Sequence, residues 1–210
     1  YRSVRTALQF ATARGLPATL LITSAGPSEG KSTTALELAQ NISQLGKRVL
    51  LVDADLRGAS VHKVTGLSTA KGLSSLLSNA CALEDAIQPW RSDALTVITA
   101  GPLPPNPPEL LGGDALPRLL GKLRETYDVI VLDGPPILGL ADAPLLANHA
   151  EATMLVVAAQ ATRIDALQSA IRRLQFARAR LIGAVLTRFD MASGDEHYGY
   201  GYGDHASKAK

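Results

Sequence analysis

The feature that most constrains the fold of this chain is the stretch of residues 20–34, LLITSAGPSEGKSTT. It starts as a short apolar run, continues through a turn rich in glycine and serine, and passes directly into a helical pattern of apolar residues. A strand, a tight loop and a helix N-terminus in this order are typical of a P-loop, in which backbone N–H groups and the helix dipole surround phosphate oxygens. The stretch therefore predicts a nucleotide site in an α/β fold.

The predicted ATP site takes in the whole loop. Lys31 supplies a positive charge for the β- and γ-phosphates, and Ser32 offers a hydroxyl group to Mg²⁺. The strict pattern G-x-x-x-x-G-K-S/T has glycine at the place of Ala25, where an alanine fits if φ stays negative. A chance Gly-Lys-Ser in a loop is the alternative, and the flanking strand and helix argue against it. The loop residues assigned to ATP are Ala25, Gly26, Pro27, Ser28, Glu29, Gly30, Lys31, Ser32 and Thr33.

Two further apolar runs end in acidic residues. Residues 48–53 end in Asp53, with Asp55 two places later, and residues 127–133 end in Asp133. The carboxyl ends of parallel strands meet at the edge where α/β sheets bind ligands. A single Asp there is often only a helix cap, but a pair beside a P-loop favours chemistry. We expect one carboxylate of the pair to hold Mg²⁺ through water, the other to accept a proton from an attacking hydroxyl group, and Asp133 to lie near Mg²⁺.

Strands and helices alternate between residues 19 and 187, which predicts one α/β domain with a parallel sheet and helices on both faces. A length of 210 residues suits one such domain with a sizeable core. The pattern predicts strands at 19–23, 48–53, 95–99, 127–133, 154–158 and 181–187, and helices at 2–13, 32–45, 115–125, 141–149 and 164–177.

Composition excludes several classes of protein. The net charge of +2, from 21 basic and 19 acidic residues, is too balanced to indicate nucleic-acid binding by charge alone. A single cysteine, Cys81, rules out a disulfide framework and favours a reducing cytoplasm. No apolar run approaches the ~20 residues of a membrane span, so we expect the chain itself to be soluble. Because it starts at Tyr1 rather than Met, we expect it to be a fragment or a trimmed form of a longer protein.

The last twenty residues, 191–210, differ from the rest of the chain. They have no apolar periodicity, and Tyr198, Tyr200 and Tyr202 alternate with glycines. We expect a flexible tail. It is either a low-complexity end or a segment that presents phenol groups to a tyrosine-modifying site.

Together these motifs resemble the cytoplasmic catalytic domain of bacterial tyrosine autokinases, the BY-kinases of capsule and exopolysaccharide synthesis. Residues 25–33 fit the family's relaxed Walker A motif. Residues 50–57, an apolar run followed by D-x-D-x-R, match its Walker A′ motif, and residues 129–136 resemble its Walker B motif with Asp-x-Pro-Pro. Residues 106–111, NPPELL, are similar to its N-P-x-E-L-L segment, which implies a helix start there.

The resemblance implies an ATP- and Mg²⁺-dependent protein-tyrosine kinase domain at 1–190 and a tyrosine-rich tail at 191–210. It implies phosphorylation of Tyr198, Tyr200 and Tyr202 in trans within a homo-oligomeric ring, and Arg2 and Arg5 resemble the end of the family's E-x-x-R-x-x-R oligomerisation motif. Residues expected to be catalytic are Lys31, Asp53, Asp55 and Asp133, and those expected to hold Mg²⁺ are Ser32, Asp53 and Asp133.

The resemblance also implies partners and a location. The partners are a membrane-spanning polysaccharide co-polymerase or activator segment, in the same or a separate chain, and a protein tyrosine phosphatase, with no nucleic acid. The expected place is the cytoplasmic side of the bacterial plasma membrane. Phosphorylation of the tail is expected to loosen the ring, because it adds negative charge near an acidic site.

Two positions depart from the family pattern. Thr187 and Arg188 stand where relatives of the wider class often have an Asn near the adenine, so we predict Arg188 as the adenine contact. Gly134 replaces a small hydroxyl residue after the Walker B Asp.

Two other functions are compatible with the fold. The first is a non-kinase switch ATPase of the Min/Par type, but those proteins usually carry a Lys at the place of Gly26. The second is a catalytically weak module that couples partners of an export complex. Such a module would keep the fold but show no phosphorylation of the tail.

Overall fold

Seven strands form one sheet in the computed structural model of the chain, which describes residues 1–13 and 15–190. The strand order is β3-β4-β2-β5-β1-β6-β7, and every pairing is parallel except that of β3 with β4. The strands are β1 (Thr19–Ser24), β2 (Val49–Asp53), β3 (Gln88–Trp90), β4 (Ser92–Ile98), β5 (Val129–Asp133), β6 (Ala152–Ala158) and β7 (Leu181–Thr187). The helices are α1 (Arg2–Leu8), α2 (Lys31–Ser43), α3 (Val61–Thr65), α4 (Leu73–Leu77), α5 (Leu83–Ala86), α6 (Pro107–Gly112), α7 (Ala115–Thr126), α8 (Asp142–His149) and α9 (Ile164–Phe176).

Alternate residues of the central strands pack on opposite faces of the sheet, because successive side chains of a strand point in opposite directions. Leu20 and Ile22 of β1 lie in a core with α1, α2 and α3. Leu21, between them, lies in a second core with α4 and with α6 to α9. Every residue of β1, β2 and β5 is buried, as expected for parallel strands covered on both sides. The predicted three-layer α/β fold is confirmed.

Several elements differ from the sequence prediction. Helix α3 was not predicted, and β4 begins at Ser92 rather than at residue 95. The antiparallel edge strand β3 was not predicted, because it has three residues, one of them Pro89, and so shows no alternation. Its Trp90 packs in the core, as expected. Helix α1 ends at Leu8 rather than at residue 13. The side chain of Phe10 is 83 % exposed, and the amide of Phe10 donates to the carbonyl of Ala7 in a tight final turn.

The start of α4 lies in a tightly packed part of the fold. The amide of Leu73 donates to the carbonyl of Thr99 at 2.8 Å, so this segment runs directly against the backbone that follows β4. A Cβ at Gly72 would collide with the backbone of Thr99 and of Gly101. We expect Gly72→Ala to lower the free energy of unfolding by about 3 kcal/mol in urea titrations.

The matched control is a second glycine with open space around it. Gly121 lies inside α7, and a Cβ there would meet no atom within 4 Å. Gly121→Ala should raise the free energy of unfolding by about 1 kcal/mol, because alanine favours a helix interior more than glycine does. Shifts of the same sign in both variants would contradict the packing described for Gly72.

Candidate active site

Three neighbouring strands bring the predicted site residues to one edge of the sheet. Strand β5 lies between β2 and β1, and Asp53 at the end of β2 pairs in register with Asp133 at the end of β5. Asp133 also pairs with Ile22 of β1, two residues before the strand ends and the glycine-containing loop begins. The P-loop and both Asp-terminated strands therefore meet at the carboxyl edge, where sheets of this kind bind ligands.

The loop between β1 and α2 is held in shape by its own contacts. Gly30 has φ 95°, which favours glycine, and it leaves α2 without a side-chain cap. The Glu29 carboxylate accepts a hydrogen bond from the amide of Gly26 at 3.0 Å, and Ser24 Oγ donates to the carbonyl of Gly26 at 2.6 Å. Because α2 has no side-chain cap, the amides of its first turn are available to an anion. The loop thus fits a phosphate group.

Two side chains at the start of α2 point to partners on the loop after β2. Lys31 Nζ lies 3.4 Å from Asp55 Oδ2, and the two side chains are 10 % and 6 % exposed. Ser60 Oγ donates to Ser32 Oγ at 2.7 Å. A bound phosphate would therefore share Lys31 with Asp55, next to the hydroxyl group predicted to meet Mg²⁺.

The other two predicted carboxylates lie deeper. Asp53 Oδ2 accepts hydrogen bonds from the backbone amides of Ser60 and Val61. Its Oδ1 accepts a longer hydrogen bond, 3.3 Å, from the backbone amide of Asp55. Burial raises the pKa of Asp53 to about 6. Burial, and then the charge of Asp53, raise the pKa of Asp133 to about 8. The charge of Lys31 and the nearby Ser32 hydroxyl lower this pKa to a smaller extent. Neither oxygen of Asp133 makes a hydrogen bond of good geometry to a described residue.

The carboxylates do not form a ready-made metal cage. Within residues 1–13 and 15–190 there is no group of three His, Cys, Asp or Glu side chains placed to hold a metal ion. Both oxygens of Asp133 lack a hydrogen bond of good geometry to any described residue and lie near the hydroxyl of Ser32. They still fit Mg²⁺, which binds few protein groups and keeps water and phosphate oxygens as ligands.

A cleft of about 780 Å³ opens over the P-loop. Of the predicted residues, Asp53 and Asp133 lie beneath it, and Ala25, Gly26 and Glu29 of the loop do not line it. Those that do line it are Pro27, Ser28, Gly30, Lys31, Ser32, Thr33, Asp55 and Arg188. Of the three predicted carboxylates, one therefore borders the cleft and two lie below it.

Arg188 borders the cleft on the side of β7. Its Nη2 donates to the carbonyl of Ser28 at 2.6 Å, and Thr187 Oγ1 donates to the carbonyl of Glu29 at 2.8 Å. Arg188 thus lies at the cleft, with its guanidinium bound to the P-loop. A contact with the adenine stays a prediction.

Several cleft residues were not predicted as site residues. Tyr1 borders the cleft, and its hydroxyl lies 3.3 Å from Thr34 Oγ1. Arg57 also borders it, and its Nε donates to Asp142 Oδ2 at 2.7 Å. The D-x-D-x-R pattern pointed to Arg57, but nothing local in the sequence pointed to Asp142 or Ser60.

Gly134 has a packing explanation. A Cβ at this position would approach Leu21 Cδ1 to 2.7 Å and the carbonyl of Ile22 to 3.3 Å. The small hydroxyl residue of the family pattern would be crowded here, since β5 packs closely against β1.

The remaining predicted residues lie away from the cleft or outside the described part of the chain. Arg2 is exposed on α1, whereas Arg5 Nη1 donates to the carbonyl of Asn41 in α2 at 3.2 Å. Tyr198, Tyr200 and Tyr202 lie outside the described residues. No helix in the described part is both long and apolar enough to cross a membrane.

Comparison with known proteins agrees with this geometry. The AAA domain family model matches residues 26–183. Tyrosine-protein kinase YwqD of Bacillus subtilis is 39 % identical over 204 residues, which cover 97 % of this chain and 86 % of that protein. A putative tyrosine-protein kinase in the cps region of Klebsiella pneumoniae is 35 % identical over 88 % of this chain, but the match covers only 26 % of that longer protein.

Among solved structures, this chain is more similar to a tyrosine kinase domain than to a MinD ATPase. The kinase domain of the Escherichia coli tyrosine kinase ETK has a TM-score of 0.84 and 34 % identity, covering 96 % of this chain and 78 % of that chain. The septum site-determining protein MinD of Pyrococcus horikoshii, complexed with Mg-ADP, has a TM-score of 0.66 and 25 % identity, covering 80 % and 69 %. The kinase domain is similar over more of the chain and at higher identity.

Proposed function

This chain belongs to the bacterial tyrosine-protein kinases, and on that premise we propose that it uses ATP and Mg²⁺ to phosphorylate Tyr198, Tyr200 and Tyr202 of its own C-terminal segment. The observation that supports the proposal most is the pair of Lys31 and Asp55, 3.4 Å apart at the P-loop cleft. It combines a cation for phosphate oxygens with a carboxylate at the place where an acceptor hydroxyl group would arrive.

The proposed reaction is a direct phosphoryl transfer. The bond from the γ-phosphorus to its bridging oxygen breaks, a new bond forms to the phenolic oxygen, and the phenolic proton passes to a carboxylate. The amides of the loop and the Lys31 ammonium group stabilise the charge on the phosphate oxygens. Mg²⁺, when bound, supplies further positive charge, and Ser32 and Asp133 are the residues that would hold it.

Of the two candidates for the base, the geometry favours Asp55. Only Asp55 borders the cleft. Both side chains are buried, and the Asp55 carboxylate accepts hydrogen bonds from two backbone amides, whereas that of Asp53 accepts them from three. The three amides that donate to Asp53 belong to Asp55, Ser60 and Val61. Asp53 is therefore better suited to shaping the loop that carries Asp55 and Ser60, and to charge balance near Mg²⁺.

We further propose that the reaction runs in trans within a ring of identical chains. Arg2 is exposed and free to meet a neighbouring chain, whereas Arg5 already contacts α2 of its own chain. Each phosphate on the tail adds roughly −1.5 to −2 charge, which should loosen the ring by repulsion from the acidic site. Such a cycle, reset by a protein tyrosine phosphatase, would control capsule or exopolysaccharide export through a membrane-spanning partner or segment on the cytoplasmic side of the plasma membrane.

The Min/Par alternative is disfavoured by the loop itself. Those ATPases usually carry a Lys at the place of Gly26, whose amide here donates to the Glu29 carboxylate at 3.0 Å. The described structure offers no second lysine on the loop.

The test is phosphorylation of the tail. After incubation with ATP and Mg²⁺, mass spectrometry should find phosphate on Tyr198, Tyr200 and Tyr202, and replacing all three with Phe should remove nearly all phosphotyrosine. Tyr127→Phe is the matched control, because Tyr127 packs at the edge of the core away from the cleft. Phosphate on serine alone, or none, would favour the switch ATPase or the coupling module.

A second arm tests transfer in trans. A Lys31→Met chain with an intact tail is mixed with a chain that keeps Lys31 but has Phe in place of its three tail tyrosines. Phosphate on the Lys31→Met chain is the expected result, and its absence would exclude transfer between chains.

A further inference from the structure

Side chains of alternating charge run from Lys31, which borders the cleft, to Asp142, which is buried. Lys31 Nζ lies 3.4 Å from Asp55 Oδ2, and Arg57 follows two residues after Asp55. Arg57 Nε in turn lies 2.7 Å from Asp142 Oδ2, at the start of α8. The row joins the P-loop helix, the loop after β2 and the start of α8.

Asp142, the last residue of this row, is a buried carboxylate with one oxygen that accepts no hydrogen bond from the described residues. Its side chain is 0 % exposed, and its Oδ1 has no hydrogen-bond partner among the described residues. Arg57 is its one salt-bridge partner in the described part of the chain. A buried carboxylate costs stability unless it is paired, so the contact with Arg57 is a strong constraint on the guanidinium.

The contact with Asp142 engages only the Nε group of the Arg57 guanidinium. Its side chain is 42 % exposed and borders the cleft, and its two terminal nitrogens make no hydrogen bond to any described residue. A guanidinium is planar, so fixing Nε also fixes the plane of the two terminal nitrogens. Those groups form a fork suited to two oxygens of one phosphate.

We propose that Arg57 is a catalytic residue that binds the phosphoryl group during its transfer, and that Asp142 is a positioning residue that holds Arg57 in place. The inference rests on the proposed kinase reaction in the same cleft. Arg57 neither gives nor takes a proton; its N–H groups bind the oxygens of the phosphoryl group while the bond to ADP breaks and the bond to the phenol forms. The contact is stronger in the transition state, so Arg57 acts on kcat more than on nucleotide binding.

Arg57→Lys tests the catalytic part. Lysine keeps a cation beside Asp142, so the fold should persist, but it has no planar fork. We expect kcat for tyrosine phosphorylation to fall about 10- to 100-fold, with the affinity for ADP changed by less than about twofold. Affinity for ADP with aluminium fluoride, which mimics the phosphoryl group in transfer, should fall with kcat. An unchanged kcat, or an equal loss of ADP affinity, would overturn the proposal.

Asp142→Asn tests the positioning part. We expect a fall in kcat of about 10-fold, again without loss of ADP affinity, and no additional fall when it is combined with Arg57→Lys. Asp165→Asn is the matched control, because Asp165 pairs with Arg163 on the exposed side of α9 and should leave kcat unchanged. Additive losses in the double variant would show that Asp142 does not act through Arg57. If Asp142→Asn fails to fold, the Arg57→Lys results still decide the proposal.

The two readouts keep this inference separate from the proposed function. Binding of ADP with aluminium fluoride needs no tail tyrosines. A wild-type chain that binds the mimic but never phosphorylates its tail would contradict the proposed acceptor, whereas equal binding of the mimic to wild type and Arg57→Lys would contradict the role of Arg57.

Discussion

Replacing Lys31 by Met should reduce tyrosine phosphorylation by about 10³-fold or more. Lys31 is the cation of the P-loop helix, 10 % exposed and directed to the cleft beside Asp55. Methionine keeps the length and the apolar stem of the side chain but removes the charge that stabilises the phosphate oxygens. The loop contacts of Gly26 and Glu29 do not involve Lys31, so the loop should keep its shape.

The measurement is the initial rate of phosphotyrosine formation with saturating ATP and Mg²⁺, alongside the affinity for ADP. Lys47→Met is the control, since Lys47 is an exposed lysine between α2 and β2 and does not border the cleft. It should phosphorylate at the wild-type rate. Phosphotyrosine formation by Lys31→Met at a rate near that of Lys47→Met would rule out the P-loop as the site of the chemistry.

The parts of this site that could be predicted lie in patterns that are local in the sequence. The P-loop joins one strand to one helix, and Asp53 and Asp133 each end an apolar run. Such a pattern places a residue at the carboxyl edge of the sheet before any tertiary contact is known. It does not say how deep the side chain lies, so Asp53 and Asp55 looked equivalent although only Asp55 reaches the cleft.

The parts that could not be predicted depend on distant contacts. Arg57 and Asp142 are 85 positions apart, and Thr187 reaches the P-loop from 158 positions away. Their meeting depends on strand order and on the packing of α8, neither of which has a local signature. The edge strand β3 was missed for a related reason, since its three residues gain their structure from pairing with β4. Residues 191–210 lie outside the described part, so the tail remains a prediction.

Asp133→Asn should have opposite effects on activity and on stability. Asp133 is buried between β1 and β2, and neither of its oxygens makes a hydrogen bond of good geometry to a described residue. We expect phosphorylation to fall about 10²-fold, because an amide cannot balance the charge of Mg²⁺. In the ligand-free protein the same change should stabilise the fold at neutral and alkaline pH, because it removes a carboxylate that is costly to ionise there.

The free energy of unfolding depends on pH, because Asp133 loses its proton at a higher pH in the folded chain than in the unfolded chain. Burial, and then the charge of Asp53, raise the pKa of Asp133 from 3.8 to about 8. Between these values the folded chain keeps a proton that the unfolded chain has lost, so wild-type stability falls as pH rises through this window. Asparagine does not titrate, so the advantage of Asp133→Asn should be absent near pH 4, should grow as pH rises through this window and should level off above pH 8.

Urea unfolding of the ligand-free chain at a series of pH values measures this difference. Asp165→Asn is the control: its partner Arg163 lowers the pKa of Asp165, so this variant should show no gain of stability with rising pH. A stability difference between wild type and Asp133→Asn that does not change with pH would mean that Asp133 is solvated or paired in the folded chain. Adding ADP and Mg²⁺ should narrow the difference, because a cation bound beside Asp133 stabilises its ionised form only in the wild type. The charge that destabilises the empty site is thus the charge that prepares it for Mg²⁺.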